Sequence, residues 1–392
     1  MTTAVAGVGA RSGAWQEDPG FGVYVHIPFC SRRCHYCDFN TYESRGELHG
    51  AYVDALVADI ERRRAPARRA TSVFFGGGTP SLLSAAELGR VLAAVRALAG
   101  VVDDCEITIE VNPETVDERA FEELLTVGFG RFSVGVQSLA PHVLRALGRT
   151  HPPEVALGAL RAARRAGVTD LNADLIYGSP WERPEDWIAS LEAVIECAPD
   201  HISAYALTVE AGTPLATLVA TGRVADVDPD VQADRYELAE RRLAAAGYAR
   251  YEISNWARPG AASRHNVLYW SAGDYLGFGA GAHGHRAGRR WWSLKLPRDF
   301  IAAVARGAST EQGAEVLDPE RRASEALMLG LRLSSGIDVE GFARRYGWGA
   351  LHERRAALDE LVDAGLVEEA GGSLRLTRRA ALVGNEVSAR LM

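Results

Sequence analysis

Six short apolar segments that alternate with helical stretches constrain the fold of this 392-residue chain more than any other feature. Stretches such as "LHGAYVDALVADIERR" and "SAAELGRVLAAVRALAG" lie between most of these segments and carry apolar residues at helical spacing. Ser84, with Glu87 three residues later, predicts the capped start of one such helix. Repeated strand–helix units predict a parallel sheet, either open or barrel-like. The candidate strands are 23–28, 72–75, 106–111, 131–137, 169–176 and 201–209.

Polar and apolar residues alternate within these strands, whereas a parallel strand that is buried on both faces normally reads as continuously apolar. Asp170, Asn172 and Asp174 alternate with apolar residues in the fifth strand, and Glu106 and Glu110 do so in the third. This period of two places each set on one face of the sheet. Because helices cover the apolar face, we predict an α/β fold, a partial (β/α)6 barrel, whose lumen holds a polar and sizeable ligand. An amphipathic sheet with one solvated face is the alternative.

The pattern changes after about residue 305, where the sequence predicts a small α+β domain. "SEALMLGLRLSSG" and "LHERRAALDELVDAGLV" are typical of helices, and "LVEEAGGSLRLT" is typical of a hairpin that turns at Gly371 and Gly372. Helices followed by a hairpin resemble a winged helix, but this segment is not strongly basic, so we expect a domain that packs on the barrel. The predicted organisation is a flexible tail over 1–20, a barrel over 21–305 and a winged-helix-like domain over 306–392.

Composition and charge limit the classes of function. The formal net charge of −8 argues against a body that binds nucleic acid. No stretch reaches the ~18 apolar residues of a membrane-spanning helix, and "MTTAVAGVGARSGAWQEDPG" lacks the basic start of a signal peptide. The five cysteines, an odd number, then favour a reducing compartment, and we expect a cytoplasmic protein. Two of them, Cys105 and Cys197, stand alone and are expected to be buried thiols.

The other three cysteines lie within eight residues, directly after the first candidate strand. Cys30, Cys34 and Cys37 form C-x3-C-x2-C. A structural zinc site usually takes four ligands from two such knuckles, and only one knuckle is present, although His26 or His35 could add a ligand. Thiolates also hold iron–sulfur clusters, and three thiolates on a [4Fe–4S] cube leave one iron without a protein ligand. An open coordination position of this kind is typical of catalytic metals.

The motif in its setting, "YVHIPFCSRRCHYCDFN", resembles that of the radical S-adenosylmethionine (SAM) superfamily. The segments "FFGGGTPS", "EVNPE", "RFSVGVQS", "LGRTH" and "DLIYGSP" follow in the order seen in the group that contains oxygen-independent coproporphyrinogen III dehydrogenase (HemN) and the haem chaperone HemW. This resemblance covers roughly residues 20–390. It implies a [4Fe–4S] cluster on Cys30, Cys34 and Cys37, whose open iron is chelated by SAM. It also implies an electron transfer that cleaves SAM to a 5′-deoxyadenosyl radical.

The same resemblance implies a set of residues that bind SAM. Glycines after the second strand would let the ligand approach the backbone closely. Polar groups at the carboxyl ends of the strands could bind the ribose hydroxyls and the SAM carboxylate. The alternative for each is a simple tight turn, or a lumen residue satisfied by its neighbours. The implied SAM-binding residues are Tyr24, Tyr36, Gly77, Gly78, Thr79, Glu110, Gln137, Arg149 and Asp174.

Two features favour the chaperone branch of the group over the dehydrogenase. HemN has a longer N-terminal segment and a fourth cysteine at the position of Phe39. The second feature is "HNVLYW", which matches the H-N-x-x-Y-W pattern associated with haem binding in HemW-like proteins. Imidazole is a common ligand of haem iron, and aromatic rings pack on porphyrins, although His265 alone could equally be a hydrogen-bonded loop residue. The implied haem-binding residues are His265, Asn266, Tyr269 and Trp270.

We therefore expect a radical-SAM-type haem chaperone that delivers haem to acceptor haem proteins such as respiratory enzymes, with an electron donor for its cluster. The enzymatic alternative is the oxidative decarboxylation of coproporphyrinogen III to protoporphyrinogen IX. An RNA-modifying radical SAM enzyme is a further alternative, but no basic groove or RNA-binding module is evident. Peripheral membrane contact through the acceptors, and a homodimer, both stay open at this point.

A second glycine-rich segment, "GFGAGAHG", has the G-x-G-x-x-G spacing of dinucleotide-binding loops at Gly279, Gly281 and Gly284. That fingerprint needs a preceding strand and a following helix. We recognise no clear strand before the segment, and the basic and aromatic "HRAGRRWW" follows it. We therefore predict a loop near the mouth of the barrel.

Overall fold

A computed structural model describes residues 13–43 and 46–392 of the chain. Its largest element is a twelve-stranded sheet in the order β14-β13-β12-β11-β1-β4-β5-β6-β7-β8-β10-β9. In chain order the strands are β1 (Phe21–Ile27), β2 (Phe29–Cys30), β3 (Tyr42–Glu43), β4 (Ala70–Gly77), β5 (Val101–Val111), β6 (Arg131–Gln137), β7 (Asp170–Tyr177), β8 (His201–Ala206), β9 (Ala249–Glu252), β10 (Asn255–Ala257), β11 (Asp274–Phe278), β12 (His283–Arg286), β13 (Arg289–Ser293), β14 (Glu311–Val316), β15 (Ile337–Asp338), β16 (Val367–Ala370) and β17 (Ser373–Leu376).

Helices connect the strands of the sheet and build the second domain. In chain order they are α1 (His49–Arg62), α2 (Ala85–Ala99), α3 (Glu118–Val127), α4 (Pro141–Ala146), α5 (Pro153–Arg165), α6 (Pro184–Glu196), α7 (Pro214–Ala220), α8 (Pro229–Ala245), α9 (Arg264–Trp270), α10 (Pro297–Ala305), α11 (Pro319–Gly330), α12 (Val339–Tyr346), α13 (Trp348–His352), α14 (Arg355–Asp363) and α15 (Gly384–Leu391). Short 3-10 helices span Pro80–Leu82, Pro113–Thr115 and Arg378–Val383. No helix in this described part is both long enough and apolar enough to span a bilayer.

The six predicted strands are all present and lie side by side in parallel, as β1, β4, β5, β6, β7 and β8. The predicted α/β barrel architecture is therefore confirmed. The predicted cap of α2 is also confirmed, because the Ser84 side chain accepts from the backbone N–H of Glu87 and the Glu87 carboxylate accepts from that of Ser84. Such a reciprocal pair satisfies two backbone donors that the first helical turn leaves free.

The alternation within the strands separates two buried layers. Apolar side chains such as Val73, Val134 and Leu171 pack against the helices in the main core. The polar face is buried as well: Asn172 is 3% exposed and donates to Ser133 Oγ. The alternative of a solvated face is therefore wrong, because the polar side chains satisfy one another inside a closed lumen.

Sequence reasoning missed a seventh parallel strand, β11, which pairs with the free edge of β1. This strand directly precedes "GFGAGAHG", so the expectation of no strand there is wrong. Rejection of the dinucleotide fingerprint still agrees with the structure, since the antiparallel strand β12 follows in place of a helix. β11 was missed because "DYLGF" offers only five residues with little apolar periodicity.

The second domain has its own core, built by α11 to α15 and the three-stranded sheet β15-β17-β16. The hairpin turns at Gly371 and Gly372 as predicted, both with positive φ. β14, however, pairs with β13 in the large sheet, so the domain begins after Val316 rather than at residue 306. The segment predicted as one helix is two, α13 and α14, interrupted at Glu353 and Arg354.

The segment before the barrel does not match the predicted flexible tail over its described part. Residues 1–12 of that tail lie outside the described residues. Trp15 is buried in the second core, with its ring 6.5 Å from that of Phe342. Glu17 forms an ion pair with Arg344 at 2.8 Å. Residues 13–20 therefore connect the start of the barrel to the second domain.

Candidate functional site

The three clustered cysteines lie on the loop that follows β1, at the carboxyl ends of the parallel strands. Cys30 is buried, and Cys34 and Cys37 are half-buried. Backbone bonds anchor the middle of the loop, since His35 donates from its N–H to Leu147 O at 3.0 Å and its own carbonyl accepts from Leu215. The loop is thus held against the barrel rather than projecting from it.

Hydroxyl groups approach the sulfur atoms from the barrel side. Thr79 Oγ1 lies 3.8 Å from Cys30 Sγ, and Thr41 Oγ1 lies 3.9 Å from Cys37 Sγ. Burial raises the pKa of the Cys30 thiol to about 11, and the neighbouring Cys37 and Cys34 raise it further. Three thiols crowded in a low-dielectric loop become thiolates only beside a strong positive charge, which a metal cluster supplies.

The residues fit a cluster better than a single metal ion. In the described part of the chain, no three His, Cys, Asp or Glu side chains converge as ligands of one ion. A cluster binds each thiolate at a different iron, so its thiolates need not converge. His26 is also not a free zinc ligand, because its ring nitrogens lie 2.9 Å from Tyr24 Oη and 2.9 Å from Asn40 O.

The glycine-rich turn after β4 packs directly against the cysteine-bearing segment. A Cβ on Gly78 would lie 2.5 Å from the carbonyl oxygen of Phe29. Gly77 has φ of +113°, and a Cβ there would lie 2.3 Å from the His26 ring. Because Gly77 N–H donates to Glu110 Oε2 at 3.0 Å and Gly78 N–H donates to Ile27 O at 2.8 Å, both groups are already engaged. The glycines thus serve the packing of the turn on the loop.

Two carboxylates and a phenol share the lumen beneath this turn. Burial, together with the nearby Asp174, raises the pKa of Glu110 to about 7. Asp174 accepts from Ser133 Oγ at 2.7 Å and from Asn172 Nδ2 at 2.8 Å. Tyr24 lies close enough to Glu110 for that carboxylate to help raise its pKa, after burial. Buried oxygens of this kind can accept hydrogen bonds from the hydroxyls of a ligand.

A basic side chain closes the lumen on the side of the cysteine loop. Arg149 hydrogen-bonds Tyr36 and lies close enough to Cys34 and Cys30 to interact with both electrostatically. Its Nε is buried and has no hydrogen-bond partner among the described residues. An orphaned guanidinium donor at a site of this kind fits a carboxylate ligand.

Backbone strain marks the adjacent strand end. Gln137, the last residue of β6, has φ of +65°, which costs a non-glycine residue about 1–3 kcal/mol. A Cβ on Gly135 would lie 2.9 Å from Gln137 Nε2 and 3.1 Å from an Arg149 nitrogen. The sequence-predicted Gln137 and Arg149 are therefore brought together over Gly135.

Some residues of the site escaped sequence reasoning. Ser133 and Asn172 hold Asp174, and their inward positions in the alternating strands could have identified them. His151, in the quoted "LGRTH", is 2% exposed, and neither ring nitrogen has a hydrogen-bond partner in the described ranges. Cys105 and Cys197, expected to be buried, are only partly buried free thiols.

The segment "GFGAGAHG" contacts the far end of the cysteine loop. Asn40 Nδ2 donates to Ala280 O at 3.0 Å, and a Cβ on Gly281 would lie 2.3 Å from that nitrogen. A Cβ on Gly279 would lie 2.5 Å from His26 O. The predicted position near the mouth of the barrel therefore agrees with the structure, and the glycines again allow close packing against the loop.

The residues expected to bind haem lie elsewhere, on α9 at the opposite end of the barrel strands. His265 is 1% exposed, with Nδ1 2.9 Å from Ser72 Oγ and Nε2 2.9 Å from Tyr269 Oη. Its ring stacks on Phe74 with centroids 5.2 Å apart. Burial lowers the pKa of His265 to about 3. The structure thus places His265 as a satisfied, neutral core residue, and iron could bind it only by displacing one of these partners.

The remaining members of that motif pack around α9. Asn266 Nδ2 donates to Tyr251 Oη at 3.3 Å. Trp270 lies under the guanidinium of Arg332, 4.6 Å from the ring centroid, at the edge of the second core. The motif therefore joins the lumen to the second domain.

Comparison with known proteins agrees with this geometry. The Radical SAM superfamily model matches residues 24–194, and the HemN C-terminal domain matches residues 317–383. The haem chaperone HemW of Mycobacterium tuberculosis (strain ATCC 25618 / H37Rv) is 41% identical over 378 residues, covering 95% of each chain. That of Bacillus subtilis (strain 168) is 32% identical over 367 residues, covering 93% of this chain and 97% of the relative.

A solved structure shares the overall fold. The radical SAM enzyme coproporphyrinogen III oxidase (HemN) from Escherichia coli matches with a TM-score of 0.81 and 24% identity. The match covers 97% of this chain and 91% of the other. At that identity the match supports the fold, and the chemistry has to be argued from the residues of this chain.

Proposed function

This chain belongs to the HemW family within the radical SAM superfamily, and from that premise we propose that it is a haem chaperone carrying a [4Fe–4S] cluster and SAM. The observation that carries the proposal is the three-cysteine loop seated at the mouth of a polar, buried lumen. Phe39, at the position of the fourth cysteine of HemN, is 65% exposed and brings no further thiol to that loop. The radical SAM family implies both cofactors, and the residues of the site fit them.

Cys30, Cys34 and Cys37 would hold the cluster, and SAM would occupy the lumen beside it. When bound, these groups would supply one-electron chemistry. Arg149 would pair with the carboxylate of SAM through its unpartnered Nε. Glu110 and Asp174, at the inner ends of β5 and β7, would accept hydrogen bonds from the ribose.

The other residues of the predicted set would shape this site. Tyr24 would contact SAM in the lumen, where Glu110 lies near it, and Tyr36 would pack on the adenine while it orients Arg149. Gln137 would donate from a strained backbone position that the fold maintains at the strand end. Gly77, Gly78 and Thr79 would set the distance between the turn and the cluster.

Haem is the cargo in this proposal, delivered to acceptor haem proteins such as respiratory enzymes. The likeness to HemW over nearly the whole chain supports this role. An electron donor for the cluster and the acceptor protein are the expected partners, and the net charge of −8 does not favour nucleic acid.

A single preparation tests the chaperone against the dehydrogenase. Protein reconstituted without oxygen is titrated with haem, and the same sample is then assayed with SAM, a reductant and coproporphyrinogen III. We expect saturable haem binding and no decarboxylation. Robust turnover to protoporphyrinogen IX would overturn the proposal in favour of the enzyme, and absence of haem binding would overturn it outright.

A further inference from the structure

A second cavity, remote from the cysteines, separates the edge of the large sheet from the second domain. It encloses about 240 Å³ and is lined by Tyr269 of α9, Tyr275 and His285 of β11 and β12, and Tyr346 and Arg322 of α12 and α11. Its wall is mostly apolar and aromatic, with few charged groups. We refer to it as the His285 cavity.

The hydrogen bonds of His285 leave it in the state of a metal-binding imidazole. Its Nδ1 lies 3.2 Å from the carbonyl oxygen of Gly273 and 3.4 Å from a carboxylate oxygen of Asp274. Both partners accept, so Nδ1 carries the proton and Nε2 keeps its lone pair. No described residue hydrogen-bonds Nε2. Histidines that bind metals typically donate their other ring N–H to a carbonyl or carboxylate in this way.

The charged groups of the cavity favour an anionic ligand. Arg322 is half-buried and has no ion-pair partner among residues 13–43 and 46–392. Arg290, by contrast, is neutralised by Glu315 at 2.7 Å and by Glu325 at 2.8 Å. Arg322 thus leaves one unpaired cation on the wall, and a guanidinium is well matched to a carboxylate.

The cavity also connects with the motif expected to bind haem. Tyr269 lines the cavity, and its ring lies 4.7 Å from that of Tyr275. The hydroxyl of Tyr269 simultaneously bonds His265 Nε2. The tyrosine of the motif therefore faces the cavity, while its histidine lies behind that tyrosine in the lumen.

We propose that the His285 cavity is the haem site, with His285 Nε2 as the axial ligand of the iron and Arg322 paired with a propionate. This assignment rests on the proposed haem-chaperone function. Ligand pockets usually enclose about 300–1,000 Å³, so a cavity of about 240 Å³ holds one part of the porphyrin and leaves the rest outside. A half-exposed haem suits a carrier, because an acceptor can reach the ligand before it is released.

Haem titration of wild type, His285→Ala and His283→Ala tests the assignment. His283 is an exposed histidine of the same strand that does not line the cavity. We expect His285→Ala to weaken haem binding roughly 10- to 100-fold and to remove the imidazole signature from the electron paramagnetic resonance spectrum of ferric haem. His283→Ala should behave as wild type. Equal affinity and an unchanged spectrum in His285→Ala would overturn the assignment, whereas failure of wild type to bind haem would instead overturn the proposed function.

A second variant keeps the test decisive should His285→Ala be unstable. Arg322→Glu should weaken the binding of haem but not that of haem dimethyl ester, because the ester has no carboxylate to pair with the arginine. Equal loss for both ligands, or no loss for haem, would exclude the propionate contact. Absorbance of the reconstituted cluster serves as the folding control, since the cysteine loop lies at the other end of β1.

Discussion

At the scale of single residues, His265 shows how burial decides the chemistry of a side chain. Its imidazole is stacked on Phe74 and bonded at both nitrogens, by Ser72 and by Tyr269. Replacing it by alanine would leave two buried hydroxyls without partners and open a void in the lumen. The residue therefore contributes to stability wherever the haem binds.

We predict that His265→Ala lowers the free energy of unfolding by about 3 kcal/mol, the usual cost of a buried void plus unmade hydrogen bonds. Urea denaturation followed by circular dichroism measures this loss. The exposed His283→Ala serves as the matched control and should change little. A variant as stable as wild type would show that the lumen repacks or admits water at this position.

The same histidine should make stability depend on pH. Burial lowers its pKa to about 3 in the folded chain, against 6.5 for a free imidazole. The unfolded chain therefore takes up the proton first, and the stabilisation that is complete above pH 6.5 falls as the pH decreases towards 3. At about pH 5 the contribution of His265 to that loss is about 2 kcal/mol.

Urea denaturation of wild type and His265→Ala at about pH 7 and about pH 5 isolates this contribution. Other buried histidines such as His201 are present in both proteins and cancel in the comparison. We expect the difference in stability between the two proteins to shrink at the lower pH. An unchanged difference would show that His265 is not kept neutral in the folded chain.

At the scale of elements, the turn after β4 positions the cysteine loop through backbone contact. Gly78 has an ordinary φ, so alanine is excluded there only by the approach of Phe29 O to 2.5 Å. We predict that Gly78→Ala costs about 1–3 kcal/mol through overpacking and displaces the turn from β2. The bound iron and sulfide per chain, measured after anaerobic reconstitution, should fall.

Gly158 provides the control for that substitution. It lies within α5, and a Cβ there meets no atom within 4 Å. Gly158→Ala should therefore retain the full cluster content and gain up to about 1 kcal/mol in stability, since glycine is unfavourable inside a helix. Full cluster content in Gly78→Ala as well would mean that the turn does not position the loop.

Elements were predictable from the sequence where their pattern is local. Six strands and the cap of α2 follow from alternation and from the Ser84–Glu87 spacing, both of which lie within a few residues. β11 was not predictable, because its partner β1 lies some 250 residues earlier and only that pairing makes it a strand. The break between α13 and α14 likewise depends on distant contacts, since Arg354 donates to Leu391 O and Ser324.

The candidate site was predictable to a similar extent. Motif residues such as Cys30, Glu110 and Arg149 do converge, because parallel strands end at one edge of the sheet. The packing of Gly78, by contrast, depends on a close approach that no local pattern reveals. The position of His285 opposite Arg322 requires the second domain to be in place, and neither residue carries a motif.

At the scale of the whole molecule, the two proposed sites lie at opposite ends of β1. Cys30 follows the strand, whereas Tyr275 of the His285 cavity pairs with Gly22 near its beginning. Seven residues in extended conformation separate the ends by about 20 Å. The cavity, unlike the cysteine loop, is completed by α11 and α12, so its shape depends on how the second domain sits on the barrel.

Trp15 is the residue through which that arrangement can be tested. Its ring lies against Phe342, and a Cβ on Gly341 would come within 2.9 Å of it, so the segment before β1 is clamped onto α12. We predict that Trp15→Ala costs the second core about 3–5 kcal/mol and accelerates amide hydrogen exchange in α12 more than in β4. Trp348, 52% exposed in the same domain, provides the matched control. Because α12 contributes Tyr346 to the His285 cavity, haem affinity should fall in Trp15→Ala but not in Trp348→Ala; unchanged exchange in α12 would show that the segment is not a clamp.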